Sequence, residues 1–162
     1  MRNKAVPAFC SLLGTLLLLL VIVFCLPLTL PSLMGYEVYE VVSGSMEPEI
    51  PVGSAIYVKA AAPEEIGEEE VIAFWSGSSV VTHRVVENRL AEREFVTKGD
   101  ANAAEDLRAV PYGELIGRVV RHFPKAGRLM ALYTGSVGKV CLILLAACGC
   151  MLNMLAGSLR RR

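Results

Sequence analysis

The stretch Ser43-Gly44-Ser45-Met46-Glu47-Pro48 is the part of this chain best suited to hold a hydroxyl in a fixed, exposed place. Ser and Gly are also the default residues of ordinary turns, so alone it reads first as an ordinary loop. A reactive serine needs a base within hydrogen-bond reach, and that base needs an orienting partner. His83 lies in Val80-Val81-Thr82-His83-Arg84-Val85-Val86. Strand alternation sets Val81, His83 and Val85 on one face and Thr82 and Arg84 on the other. A histidine beside two valines is either a satisfied core residue or a general base tuned by its surroundings. The other histidine, His122, follows Arg121 ahead of an apolar segment and reads as an interfacial or surface residue. The stretch Lys98-Gly99-Asp100-Ala101-Asn102-Ala103-Ala104-Glu105-Asp106 reads first as a turn with side-chain-to-backbone bonds. It also offers two carboxylates, Asp100 and Asp106, that can orient a histidine. Ser45, His83 and one of these acids supply the residue types of a Ser-His-Asp set, and types alone do not choose between the acids.

The elements that must position these residues follow from hydropathy and charge. The chain has 162 residues, 54% of them hydrophobic. Residues 8–30 carry no charge, and as a helix they span about 34 Å, enough to cross a bilayer. Pro27 marks a place where this helix kinks or ends early. The apolar run exceeds the usual signal-peptide core, and Leu33-Met34-Gly35 is a poor cleavage site, so the segment reads as an uncleaved anchor. Residues 140–159 form a second uncharged run of about 30 Å, with Asn153 inside it placed either to bond to the first helix or to lie near the interface. Arg2 and Lys4 precede the first run, and Arg160, Arg161 and Arg162 follow the second. Basic short tails favour the cytoplasmic side. The expected organisation is a cytoplasmic tail (1–7), an anchor (8–30), an extracytoplasmic domain (31–139), a second span (140–159) and a cytoplasmic tail (160–162).

The middle segment holds eleven basic and sixteen acidic residues, a net charge of −5, which argues against a nucleic-acid surface. All five cysteines fall in the two apolar runs and none has metal-ligand spacing, so the middle segment is expected to have no disulfide of its own, and neither a metal nor a cofactor is expected. Short β-branched runs at 39–42, 53–59, 71–75, 80–86, 94–98 and 116–123 are separated by Gly, Pro and acidic turns. This pattern predicts a mainly β domain, an antiparallel sheet or barrel-like fold, between an N-terminal and a C-terminal transmembrane helix. The acidic stretch 63–70 reads as a solvated loop or one short helical turn.

Three motifs in order carry a family resemblance. Ser43-Gly44-Ser45-Met46-Glu47-Pro48 resembles the first signature of type I signal peptidases. Thr82-His83-Arg84-Val85-Val86 resembles the second signature of the ER and archaeal branch, where bacterial members mostly carry lysine. Thr97-Lys98-Gly99-Asp100-Ala101-Asn102 through Asp106 resembles the third. Residues 67–74 and 115–120 match weaker family patterns, and the similarity covers about 36–125. The chain departs from the pattern at Ala101 and Glu105, where asparagine and aspartate are usual.

The resemblance implies a membrane-bound serine endopeptidase that removes N-terminal signal peptides, cutting after small residues at the outer membrane surface. By the same similarity Ser45 is the nucleophile, His83 the general base and Asp106 the catalytic aspartate. Asp100 shapes the site or holds His83, and the Ser43 hydroxyl joins the Ser45 N–H in the oxyanion hole. The implied partners are signal-peptide-bearing preproteins, the lipid bilayer and the Sec translocon. Because the base must be neutral, the rate should rise with pH as His83 gives up its proton. A second class is a catalytically idle membrane adaptor of the same fold, which would tolerate Ser45→Ala and His83→Ala. A self-cleaving repressor-type protease fits less well, because such proteins are soluble and use a lysine base.

Overall fold

The computed structural model describes residues 5–161, so Arg2, Lys4 and Arg162 of the basic tails lie outside the described residues. In chain order the elements are α1 (Ala5–Leu33), β1 (Tyr36–Glu40), β2 (Ala55–Lys59), β3 (Val71–Ser76), β4 (Ser79–Arg89), β5 (Glu94–Lys98), β6 (Val110–Pro111), β7 (Leu115–Phe123), α2 (Ala126–Thr134) and α3 (Ser136–Arg161). The chain divides into two compact units. One holds the long helices, up to Leu30 and from Leu132 onward, and the other is Pro31–Ala131.

Two helices of the first unit, Ala5–Leu26 and Ser136–Arg161, are long and apolar enough to cross a membrane. Pro27 does not end α1, which runs on to Leu33. A proline removes one backbone donor, and a 29-residue helix survives that loss. Of the two places open to Asn153, it takes the contact with α1. Its Oδ1 accepts from Ser11 Oγ and Thr15 Oγ1, both at 3.4 Å, and its Nδ2 donates to the Gly149 carbonyl at 3.1 Å. A Cβ on Gly14 would stand 2.7 Å from both Asn153 Nδ2 and the Gly149 carbonyl oxygen, so glycine lets the two backbones approach.

The second unit is a seven-stranded sheet in the order β1-β2-β7-β3-β4-β5-β6, with every neighbouring pair antiparallel. Its edges are β1 and β6, so hydrogen bonding among the described residues leaves it an open sheet. The central strand β3 explains why both faces are covered. Its run Val71-Ile72-Ala73-Phe74 is apolar at every position, as a strand buried on both sides requires. Ile72 and Phe74 pack with Ile66, Val85, Phe95, Val110 and Tyr112 on one face. Ala73 packs with Val41, Met46, Ile50, Ile56 and Val58 on the other. β4 joins β3 through the turn at Gly77, whose φ of 62° a glycine adopts without steric cost.

The strands expected at 71–75, 80–86, 94–98 and 116–123 appear at β3, β4, β5 and β7. β1 lies earlier than the run at 39–42, and beyond it Val41 bonds to Ser54 and Gly53 outside the regular ladder before the serine turn begins. Residues 63–65 form a single 3-10 turn within the acidic stretch. Helix α2 and the first residues of α3 lie in the stretch that sequence patterning assigns to the extracytoplasmic domain. α2 begins where Gly127 packs so tightly that a Cβ would stand 2.4 Å from the Ser54 carbonyl oxygen.

Candidate active site

The serine turn follows β1 and is pinned from beneath by its own apolar residues. Met46, directly after Ser45, is 1% exposed and Ile50 is 2% exposed, both in the core beside Val41 and Ile56. Two local hydrogen bonds close the turn, Glu47 N–H to the Gly44 carbonyl at 3.1 Å and Ile50 N–H to the Met46 carbonyl at 2.8 Å. Burying Met46 fixes the backbone of the turn, in which Ser45 is half-buried and Ser43 exposed. Both serines line a cleft of about 100 Å³ with Tyr39, Val42, Val80, Val81 and Thr82. Among the described residues neither serine hydroxyl makes a hydrogen bond, which leaves both free for a substrate.

His83 lies on β4 opposite Ile72 and on the same face as Val85, as alternation predicts. It is 8% exposed, and its ring stands edge-on to Phe74 with centroids 6.2 Å apart. Its Nδ1 is 2.5 Å from Asp106 Oδ2. With Asp106 ionised, Nδ1 carries the proton and donates, and Nε2 is left as the basic nitrogen. The two candidate acids therefore separate. Asp106 holds His83, whereas Asp100 receives Arg84 on the opposite face of β4 through two bonds, Nε to Oδ1 at 2.8 Å and Nη2 to Oδ2 at 2.6 Å. Arg84 Nη1 also donates to the Glu69 carbonyl at 2.8 Å. The hydrogen bonds that Arg84 donates to Asp100 hold its guanidinium above its ordinary pKa, against a smaller opposing effect of burial.

One loop, residues 99–106, connects these parts. At its start Ala101 N–H donates to the Ser45 carbonyl at 2.9 Å, and at its end Asp106 meets His83. Gly99 is needed for the first contact, since a Cβ there would stand 2.6 Å from the Ser45 carbonyl oxygen. Thr97 is a partner that residue types did not single out. It is fully buried on β5 opposite Val85, and its hydroxyl donates to Asp106 Oδ2 at 2.7 Å. Asp106 N–H returns a bond to the Thr97 carbonyl at 2.8 Å, so one residue holds both the backbone and the carboxylate of Asp106. The signal was available in β5, where Thr97 alternates with Phe95 onto the buried face. His122 sits on β7 opposite Ile56, away from Asp106, and lines a separate open hollow with Glu49 and Arg121. No group of three or more metal-ligating side chains occurs among the described residues.

The arrangement has the parts for nucleophilic acyl transfer: an unbonded hydroxyl on a pinned turn, and an imidazole whose tautomer a half-buried carboxylate fixes. No protein-family model matches the chain. It is 42% identical over 84 residues to signal peptidase I W of Bacillus subtilis, covering 49% of this chain and 44% of that protein. It is 29% identical over 119 residues to the signal peptidase complex catalytic subunit SEC11 of Ogataea parapolymorpha, covering 60% of this chain and 67% of that protein. The chain thus spans less than half the length of the Bacillus relative. Taken with the motif order, the antiparallel sheet and the two apolar helices, these similarities point to one family: the chain is similar to the type I signal peptidases over about half its length.

Proposed function

We propose that this protein is a membrane-bound serine endopeptidase that removes signal peptides from exported preproteins, with Ser45, His83 and Asp106 as its catalytic set. The observation that carries the reading is the His83–Asp106 bond at one end of the loop whose other end holds the Ser45 carbonyl. His83 Nε2 takes the proton from Ser45 as the hydroxyl attacks the scissile carbonyl. The Ser45 N–H and the Ser43 hydroxyl hold the oxyanion. His83 then protonates the leaving amine, and water releases the acyl-enzyme. Asp106 holds the imidazole in its working tautomer and stabilises the imidazolium. Asp100 acts in a different place, tying Arg84 to the start of the loop.

The cleft beside Ser45 supports a preference for small residues before the cut. Its volume of about 100 Å³ suits one or two small side chains, and Tyr39, Val80 and Val81 supply apolar walls. The uncharged helices and the basic residues at the two ends support a two-span topology with the sheet on the extracytoplasmic face. In that topology the serine turn comes only twelve residues after Leu33, the last residue of α1. The catalytic turn then works close to the bilayer surface, where a signal peptide leaves it, and the bilayer and the translocon delivering the preprotein are its surroundings.

The test uses purified full-length protein in detergent with a model preprotein. Wild type, Ser45→Ala, His83→Ala, Asp106→Ala and Asp100→Ala are compared, and the new N-terminus is sequenced. Cleavage after a small residue by wild type and none by Ser45→Ala is the expected result. Full activity in Ser45→Ala sinks the assignment and favours the idle-adaptor reading.

A further inference from the structure

A second cleft, of about 380 Å³, opens on the other side of the site. It is lined by Phe74, Val81, His83, Leu107, Ala109 and Val110, with Asp106 at its edge. Ser45 and Ser43 line the first cleft and not the second, whereas His83 lines the second and not the first. Val81 borders both. A chain that crosses Val81 from one cleft to the other passes the nucleophile and then the base. This order has a chemical direction. The acyl half of the scissile bond must stay with Ser45, and the amine half must leave with a proton from His83.

From this geometry we infer that the second cleft seats the first residues after the cut, the new N-terminus of the released protein, and selects them by apolar contact. This rests on the peptidase reading above. The charged groups at the cleft are already engaged. Arg108 Nη2 is 2.5 Å from Glu114 Oε1, and Asp106 Oδ2 accepts from both His83 and Thr97. Phe74, Val81, Ala109 and Val110 supply an apolar lining, and Leu107 stands fully exposed at the rim. A free leucine at the mouth of an apolar cleft gains contact when an apolar residue lies beside it, and a carboxylate there loses water next to the carboxylates of Asp106 and Glu114, which repel it.

Placement is tested with full-length Ser45→Ala protein in detergent and a preprotein whose signal peptide ends in Ala-x-Ala. A photo-crosslinking side chain is placed either directly after the cut or three residues before it. The after-cut probe is expected to label residues 107–110 and the before-cut probe residues 39–43, as mapped by mass spectrometry. Labelling of 39–43 by the after-cut probe overturns the inference. Selectivity is tested by cleavage with Leu or Asp as the first residue after the cut. Wild type is expected to favour Leu by about tenfold in kcat/KM, and Leu107→Asp to abolish that preference while leaving preferences before the cut unchanged. Equal rates for Leu and Asp in wild type overturn it as well. Should Ser45→Ala cleave like wild type, the peptidase reading fails instead, and the crosslink map still reports which cleft the after-cut segment occupies.

Discussion

The separation of the two acids supports a paired experiment, Asp106→Asn against Asp100→Asn. Both substitutions keep side-chain size and remove one charge. Asp106 Oδ2 accepts from His83 Nδ1 at 2.5 Å and from Thr97 Oγ1 at 2.7 Å, and the Asp106 side chain is 22% exposed. An amide there can turn its NH₂ toward His83, which then accepts at Nδ1 and carries its proton on Nε2, where it cannot act as a base. The loss expected for such a tautomer change is about 10³–10⁴-fold in kcat, or about 4–5.5 kcal/mol of transition-state stabilisation. Asp100 has another partner. Its two bonds go to Arg84, with side-chain exposures of 17% and 27%, so the pair is partly screened. Breaking it should cost about 1–2 kcal/mol of stability and lower the melting temperature by several degrees. Its effect on kcat should stay within about tenfold, since it reaches His83 only through the loop. The assay is single-turnover cleavage of a model preprotein in detergent, alongside thermal unfolding followed by circular dichroism. Asp100→Asn losing as much kcat as Asp106→Asn, or Asp106→Asn retaining a tenth of wild-type kcat, would refute the assignment of Asp106 as the partner of His83.

Three further outcomes follow from the same contacts. Thr97→Val removes one donor from Asp106 while leaving the His83 bond, and should lower kcat about tenfold with KM unchanged. Thr97→Ser should restore most of that loss, which a purely packing role would not require. Gly99→Ala places a methyl 2.6 Å from the Ser45 carbonyl oxygen, so the serine turn must shift. Cleavage should fall by about 10²-fold while circular dichroism shows an intact sheet, and wild-type activity would contradict the close approach. Tyr39 is pushed up to about 12 by burial, then by its hydrogen bond to Glu37 and that carboxylate's charge. Its folded value thus exceeds the ordinary tyrosine value of about 10, so its contribution to stability is present below about pH 10 and lost as pH rises through about 12. Tyr39→Phe should remove that part of the alkaline loss, as read from the melting temperature across this window.

The sequence determined a good deal of this protein. Uncharged runs long enough to cross a bilayer mark the two long helices, because no soluble loop tolerates that much exposed apolar surface. The β-branched runs separated by Gly, Pro and acidic residues mark the sheet, and alternation alone puts His83 on the face of Val81 and Val85. The resemblance carried by the motif order suggests Ser45, His83 and the acidic loop as one set. Three features depended on the tertiary structure. The choice between Asp100 and Asp106 rests on which side of β4 each carboxylate reaches, and a loop that passes the strand's end can serve either face. Thr97 was hidden because a threonine in a strand is ordinary until its hydroxyl is seen against a carboxylate nine residues away. The division of the site into two clefts on either side of Val81 arises where the serine turn, β4 and the 99–110 segment converge. Local patterns record which way each side chain points along its own strand, and only the packing of distant segments decides what it meets there.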